Sequence, residues 1–277
     1  MKEKKYTFRK IIFLIFIIIF MLFLYARYIN TKGLKIHEYG IVNEKLPESF
    51  HGLKIIHFSD IHYGQTTDLK DIKKIVTEIN NLKPDIVIFT GDLFNNNITP
   101  TDKEIKNITK ELNKIETSLY KYSISGDSDK KSYNTFQKVF EDANFIILNN
   151  SNDLLYYKNE TPIKIVGLTD ITDLENAFKE ETAQESFTIT IMHEPDNIDL
   201  LSKYRIDIAF SGHSLGGLIK IPFIGGIIKK DGANKYVEDY HVVNNTKLFV
   251  SSGIGTDNLK FRLFNKPSIN LYRLYNK

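Results

Sequence analysis

The chain has 277 residues, a hydrophobic content of 42 % and a net charge of +3. This length accommodates one large domain, or one domain with an appendage, and the hydrophobic content excludes global disorder. The absence of cysteine excludes disulfides, thiolate zinc sites and cysteine nucleophiles, and the small charge, concentrated near the amino terminus, argues against a nucleic-acid-binding face.

The amino terminus combines a basic segment with a long apolar run. Residues 1–10 contain five lysine or arginine side chains, and residues 11–26 are uncharged and apolar. With Tyr25, Arg27 and Tyr28 as interfacial anchors, residues 11–28 are predicted to form a transmembrane helix. A cleaved signal peptide is the alternative, but no A-x-A-like cleavage site follows the run. The basic flank predicts a cytoplasmic segment 1–10 and places the remaining chain outside the cytoplasm, at the cell membrane.

Residues 29–50 are predicted as a polar tether with one strand-like piece at 34–39, and residues 51–277 as a globular domain. Amphipathic helices are predicted at 69–82, 102–115, 133–142, 174–181 and 195–203. Short apolar strands are predicted at 54–58, 85–89, 121–124, 145–148, 163–167, 187–192, 206–210, 247–250 and 269–274. Strands that alternate with helices first and then follow one another indicate an α/β sandwich with a mixed sheet.

Polar side chains follow four of these strands at their carboxyl ends. They are Asp60 and His62 after the first strand, Asp92 after the second, and His193 and His213 after later strands. Each alone has a simpler explanation, such as a helix cap, a turn or a core histidine. Together, at the edge where open α/β sheets bind ligands, they predict a metal site. Asp60 and His62 would point the same way from an extended segment, and the donors suit zinc, manganese or iron better than calcium.

The stretch GHSLGG at residues 212–217 also fits the G-x-S-x-G nucleophile elbow of serine hydrolases, with Ser214 as the nucleophile. An elbow turns from a strand into a helix. Residues 218–228 contain Pro222, Gly225 and Gly226 within a β-rich run and are not expected to form a helix. The stretch is therefore interpreted as a loop of the metal site.

These blocks together resemble the calcineurin-like metallophosphoesterases, in particular their membrane-anchored bacterial branch. The family pattern is D-x-H, then G-D, then G-N-H-D/E, then a lone His, then G-H-x-H. The corresponding blocks are Asp60-Ile61-His62, Gly91-Asp92, Gly126-Asp127-Ser128-Asp129, His193 and Gly212-His213-Ser214-Leu215. The resemblance runs from about residue 54 to the carboxyl terminus. It implies a four-layer α/β/β/α sandwich with two metals at the strand ends.

Three positions depart from the family pattern. Asp127 stands where the family has an asparagine ligand, and its carboxylate can still bind a metal. Ser128 stands where the family has a catalytic histidine, so that Asp129, the partner that orients that histidine, has no imidazole to hold. Leu215 replaces a histidine ligand of the first metal and cannot coordinate an ion.

The resemblance implies two divalent metal ions, such as Mn, Fe or Zn, bound with unequal strength. Asp92, Asp127, His193 and His213 would bind one ion tightly, and Asp60, His62 and Asp92 would bind the other weakly. A hydroxide bridging the two ions would attack the phosphorus of a phosphodiester or phosphomonoester, such as a lipid-linked or cell-envelope phosphoester. The competing hypothesis is a catalytically impaired relative that serves as a surface binding or scaffolding protein. The changes at Ser128 and Leu215 favour it, and the surviving ligands favour the enzyme.

Overall fold

The structure, a computed structural model, describes residues 2–158, 161–179 and 187–277. Within these residues the α-helices are α1 (Lys2–Leu24), α2 (Leu69–Leu82), α3 (Asp102–Leu112), α4 (Tyr133–Asp142) and α5 (Leu174–Ala177). The strands of the first half are β1 (Lys35–Val42), β2 (Lys54–Phe58), β3 (Ile86–Thr90), β4 (Tyr120–Ile124), β5 (Ile146–Ile147), β6 (Ser151–Leu155) and β7 (Ile163–Leu168). Those of the second half are β8 (Thr188–Met192), β9 (Ile208–Ser211), β10 (Lys220–Ile221), β11 (Gly225–Gly226), β12 (Tyr240–Val243), β13 (Thr246–Val250) and β14 (Ser268–Tyr275).

Twelve of these strands form two six-stranded mixed sheets. The first sheet has the order β1-β14-β2-β3-β4-β5, and the second has the order β12-β13-β9-β8-β7-β6. In the first sheet β2 to β5 run parallel and β14 runs antiparallel to β2. In the second sheet β7, β8, β9 and β13 run parallel, with an antiparallel strand at each edge. Strands β10 and β11 form a separate hairpin.

Three apolar cores separate four layers. One core joins the first sheet to α2, α3 and α4, and a second lies between the two sheets. The third joins the outer face of the second sheet to α5 and to the 3-10 turn Pro195–Leu201. Central strands such as β3 and β8 are buried on both faces, which explains their continuous apolar runs. The predicted four-layer α/β/β/α sandwich is confirmed.

Local sequence signals define the helices of the first half. Helix α2 buries Ile72, Ile75, Val76 and Ile79 on one face, as the period of its apolar residues predicts. Asp68 caps α2, and Thr101 caps α3 in a reciprocal arrangement with Glu104. The helix predicted at 174–181 ends at Ala177, and its last two residues lie outside the described part of the chain. The helix predicted at 195–203 is a 3-10 turn.

The segment predicted as a tether is part of the domain. Strand β1 pairs in parallel with β14 along its whole length, from Lys35 beside Ser268 to Val42 beside Tyr275. The chain therefore enters the first sheet a few residues after the apolar helix ends. A strand was expected at 34–39. Its pairing with β14 could not be predicted, because it joins the two ends of the domain and leaves no local signal in the sequence.

The apolar helix stands apart from the cores. Residues Tyr6–Ile29 form a continuous helical stretch of 24 residues, in which an 18-residue window has a mean hydropathy of 2.6, long and apolar enough to cross a membrane. Its last residues turn as a π-helix at Tyr25–Ile29 and contact a loop of the domain. The Arg262 N–H donates to the Ala26 carbonyl at 3.1 Å, and the ring of Phe23 lies 5.8 Å from that of Phe261.

Candidate metal centre

The predicted site residues lie where the two sheets present the carboxyl ends of their parallel strands. Asp60 and His62 follow β2, Asp92 follows β3, and residues 127–129 follow β4, three neighbouring strands of the first sheet. His193 and His213 follow β8 and β9, which are neighbours in the second sheet. The sandwich thus brings side chains from both sheets to one place.

The backbone at this edge is left-handed at four of the predicted ligands. The φ angles are 52° at Asp60, 49° at His62, 63° at Asp92 and 66° at His213. The extended conformation expected for Asp60 and His62 was therefore wrong, although both side chains reach the same cluster. Non-glycine residues with positive φ cost about 1–3 kcal/mol each and concentrate at functional sites. Backbone bonds hold the strained loops, for example from Asp60 N–H to the Gly91 carbonyl at 2.9 Å.

The donor residues form two groups that share Asp92. What we call the second group contains Asp92, His193 and His213, whose donor atoms lie within 4.8 Å of one another. His193 Nε2 lies 3.3 Å from Asp92 Oδ2 and 3.1 Å from His213 Nδ1. The opposite ring nitrogens lie 2.6 Å from backbone carbonyls, His193 Nδ1 from that of Thr90 and His213 Nε2 from that of Asp231. These carbonyls accept the N–H of each ring, so the other two nitrogens, His193 Nε2 and His213 Nδ1, converge beside the Asp92 carboxylate. Carbonyls that orient histidine ligands in this way are typical of metal sites.

Asp127 borders the second group. Its Oδ2 lies 3.8 Å from His213 Nδ1, and with Glu194 and His213 it forms a further cluster of donor atoms. Lys130 forms an ion pair with Asp127. Glu194 was not predicted as a site residue, although its position directly after His193 at the end of β8 was a usable signal. Burial and the neighbouring Asp127 carboxylate raise the pKa of Glu194.

Asp60, His62 and Asp92 form the first group, which shares Asp92 with the second. His62 Nε2 lies 3.6 Å from Asp92, 3.9 Å from Asp60 and 3.1 Å from Asp257. Both ring nitrogens of His62 are buried and lack a hydrogen-bond partner of acceptable geometry. An unsatisfied imidazole surrounded by carboxylates fits a site for a divalent cation, because buried carboxylates require a positive charge nearby. The residues of both groups thus fit the two metal ions that the sequence predicts.

The sequence did not point to Asp257. It lies in the loop between β13 and β14, and Lys230 Nζ contacts it at 3.0 Å. Burial alone would raise the pKa of Asp257, but His62 and Lys230 lower it, so the carboxylate is ionised. No sequence motif marks Asp257, and only the fold places it beside His62.

The two residues predicted as catalytic, Asp129 and Ser128, both make hydrogen bonds to Asp92 or to the backbone beside it. The buried Asp129 carboxylate accepts hydrogen bonds from the N–H groups of Asp92, Leu93 and Gly126 at 2.8–3.0 Å. Ser128 donates its N–H to Asp92 Oδ1 at 2.8 Å and its hydroxyl to Asp92 Oδ2 at 3.0 Å. Asp129 therefore fixes the backbone that carries Asp92, and Ser128 fixes its carboxylate.

Leu215 lies fully buried beside the first group. A Cβ atom at Gly253 would lie 2.8 Å from Asp60 Cβ and 3.0 Å from Leu215 Cδ2, so both side chains pack against this glycine. After Ser214 the chain makes one 3-10 turn with a kink at Gly216, and the β10–β11 hairpin follows. No α-helix follows Ser214 in the described residues 215–277, so the structure supports the interpretation of residues 212–217 as a metal-site loop.

We expect the metal affinity of the second group to rise with pH, by up to about tenfold per pH unit below the pKa of His193. Burial alone would lower the pKa of His193, but Asp92 and Asp60 raise it to about 10. The metal-free ring is then protonated at neutral pH, and a cation has to displace that proton. Calorimetric titration of a metal in buffers of different ionisation enthalpy measures both the affinity and the proton release. An affinity independent of pH would contradict a protonated His193.

The chain was compared with known proteins by sequence. The sequence model of the family described as calcineurin-like phosphoesterase matches residues 53–217. The metallophosphoesterase YkuE of Bacillus subtilis is 30 % identical over 256 residues, which cover 90 % of this chain and 88 % of YkuE. The UDP-2,3-diacylglucosamine pyrophosphatase LpxG of Chlamydia muridarum is 26 % identical over 230 residues, which cover 65 % of this chain and 69 % of LpxG.

Two further comparisons concern a membrane protein and a solved structure. A transmembrane protein with a metallophosphoesterase domain from Danio rerio is 25 % identical over 261 residues, which cover 85 % of this chain and 56 % of that protein. The structure of the calcineurin-like phosphoesterase YfkN from Bacillus subtilis aligns with 74 % of this chain and 82 % of its own, with a TM-score of 0.46 and 16 % identity. The family match at residues 53–217 includes both groups of donor residues but not Asp257.

Proposed function

Because the chain belongs to the calcineurin-like phosphoesterase family, we propose that it is a membrane-anchored, metal-dependent hydrolase of a phosphodiester or phosphomonoester. The observation that supports this proposal most directly is the position of Asp92, whose buried carboxylate belongs to both groups of donor atoms. A carboxylate shared in this way suits two cations a few ångströms apart. Two such ions stabilise the attacking and leaving oxygens of an in-line displacement at phosphorus.

In this proposal Asp92, Asp127, His193 and His213 hold one divalent ion, and Asp60, His62 and Asp92 hold the other. Manganese, iron and zinc suit this mixture of imidazole and carboxylate donors. When bound, the ions would supply Lewis-acid polarisation of the phosphoryl oxygens and lower the pKa of a water molecule. The site favours cations, because the carboxylates of the buried Asp60 and Asp92 and of Asp257 surround the His62 imidazole.

The chain's own residues position the donors. Ser128 donates hydrogen bonds to both carboxylate oxygens of Asp92. The backbone N–H of His213 donates to the Asp60 carboxylate at 3.1 Å. Neighbouring carbonyls orient His193 and His213. These contacts fix the donors before any ligand binds, which reduces the cost of assembling the site. No imidazole stands at position 128 to protonate a leaving group, so the proposed enzyme should turn over slowly.

The proposed location is the extracytoplasmic face of the cell membrane, with the α1 helix as a single-pass anchor. The exposed apolar side chains of this helix and the basic residues in its amino-terminal part support an orientation with the amino terminus in the cytoplasm. The name of the LpxG relative describes a pyrophosphatase of an acylated sugar nucleotide. It supports a lipid-linked or cell-envelope phosphoester as the substrate class for this chain.

The second candidate function is a binding or scaffolding protein that retains the fold with an impaired site. The full burial of Leu215 beside Asp60 supports it, because an apolar side chain lies where the family pattern has a metal ligand. The two candidates differ in metal content and in activity. The enzyme requires at least one tightly bound ion, whereas the binding protein requires none.

We expect one tightly bound metal per chain and a second that binds only at high concentration. The second group has Asp127 as an additional donor, whereas the first group has Leu215 beside it. The measurement is elemental analysis of the purified full chain, followed by titration of Mn²⁺ with an assay on an activated aryl phosphodiester. Low, Mn²⁺-dependent hydrolysis supports the enzyme. A chain that binds no metal and hydrolyses nothing would leave the binding protein as the function.

A further inference from the structure

The hairpin after the metal-site loop exposes apolar side chains at its tip. Phe223 is fully exposed at 109 % of its reference area, and Ile224 is 74 % exposed. Phe223 also has a left-handed backbone, with φ at 67°, which costs free energy for a non-glycine residue. The loop after β13 adds the exposed side chains of Leu259 and Phe264. We call Phe223, Ile224, Leu259 and Phe264 the apolar tip surface.

Backbone hydrogen bonds tie the hairpin to this loop. Lys220 N–H donates to the Leu263 carbonyl at 2.9 Å, and Leu263 N–H donates to the Leu218 carbonyl at 3.0 Å. The hairpin base also holds the metal-site loop, since Ile228 N–H donates to the Gly217 carbonyl at 3.2 Å. The apolar tip surface is therefore fixed in position relative to the metal centre.

The same loop contacts the apolar helix. Phe261 packs on Phe23, and the Phe264 ring lies 6.1 Å from that of Tyr25. The side-chain amide of Asn30 donates to the Arg262 carbonyl at 3.1 Å. Phe23 and Tyr25 lie within the stretch that is apolar enough to span a membrane. A loop that packs on this stretch lies at the level of the bilayer surface when the helix is inserted.

We propose that the apolar tip surface inserts into the same bilayer that α1 spans, which rests on the membrane anchoring proposed above. Continuity with the helix end identifies the occupant as lipid, and Lys229, Lys260 and Lys266, which lie within a few residues of these side chains in the sequence, suit anionic headgroups. Interfacial insertion buries apolar side chains about 5–10 Å below the headgroups. The hairpin base, which holds the metal-site loop, then lies near the headgroup layer, where a lipid-linked phosphoester would present its phosphate.

The test uses the absence of tryptophan from the chain. Phe223→Trp keeps an aromatic ring at the tip and introduces a single fluorescent reporter. Tyr120→Trp is the matched control, because Tyr120 is 41 % exposed at the start of β4, the strand end opposite the metal centre. Each full-length variant is reconstituted into phosphatidylcholine–phosphatidylglycerol vesicles with and without lipids brominated on the acyl chains.

We expect the emission of Trp at position 223 to shift to shorter wavelength and to be quenched by shallow brominated lipid, and the Tyr120→Trp control to show neither effect. Equal, unquenched emission from both variants overturns the insertion. A blue shift without quenching indicates a protein occupant, such as a second copy, and also overturns it. Carbonate extraction of the same vesicles tests the α1 anchor separately from insertion of the apolar tip surface. Release of the full chain by carbonate would refute the anchor itself.

Discussion

Replacing His213 with alanine is expected to abolish hydrolysis together with metal binding at the second group, whereas Ser214→Ala leaves both intact. His213 Nδ1 faces His193 Nε2 at 3.1 Å, so the variant removes one of the converging donors. The Ser214 hydroxyl accepts a hydrogen bond from Gly216 N–H at 3.1 Å, within its own loop. Metal content and the rate on an activated phosphodiester are measured for both variants.

The matched control for the loss of a histidine is His241→Ala. His241 lies on β12 at the far edge of the second sheet and belongs to neither group of donor atoms. This variant should keep both metal and activity, since it changes no donor of the site. Loss of activity in Ser214→Ala with full activity in His213→Ala would instead support the serine hydrolase hypothesis, with Ser214 as the nucleophile.

The second large effect is expected as a gain. Leu215→His should raise the affinity of the first group, because its side chain packs beside Asp60 against Gly253 and an imidazole there adds a donor. Adding Ser128→His supplies a group that can protonate the leaving oxygen. General acids contribute about 10²–10⁴-fold, so the double variant should turn over roughly 10² times faster on an aryl phosphodiester. Metal titration and initial rates measure the two effects separately.

Two variants control for the loss of the original side chains. Leu215→Met keeps an apolar side chain of similar volume and should change neither metal affinity nor rate. Ser128→Ala removes only the hydroxyl bond to Asp92 and shows what that contact contributes before a histidine is introduced. Two equally tight metals in the unmodified chain would contradict the argument from Leu215. No metal in the double variant would mean that the centre is vestigial.

Much of the fold could be predicted because its signals are local. The helix predicted at 69–82 matches α2 residue for residue, and that at 133–142 matches α4. The strand predicted at 54–58 matches β2. In each case the period of the apolar residues reports which face is buried. The short edge strands β6 and β12 were missed, because their half-exposed residues lack such a pattern.

The candidate site was predicted from one recurring feature, a polar residue directly after a buried strand. This signal found Asp60, His62, Asp92, His193 and His213, because a strand and the residue after it are adjacent in the chain. It gave no information on backbone conformation, and the left-handed φ angles at these residues arise from hydrogen bonds between different loops. Asp129 came instead from the family resemblance, and the structure shows that its carboxylate accepts hydrogen bonds from backbone N–H groups.

The sequence by itself therefore determined the alternation of elements, the apolar helix and the chemical types at the strand ends, since each depends on residues close together in the chain. Only the tertiary structure decided that Asp257 faces His62, that β1 pairs with β14, and that the end of α1 contacts the loop beside the metal centre. These contacts join residues far apart in sequence. They form because the two sheets must bury their facing surfaces together, and no local pattern encodes that packing.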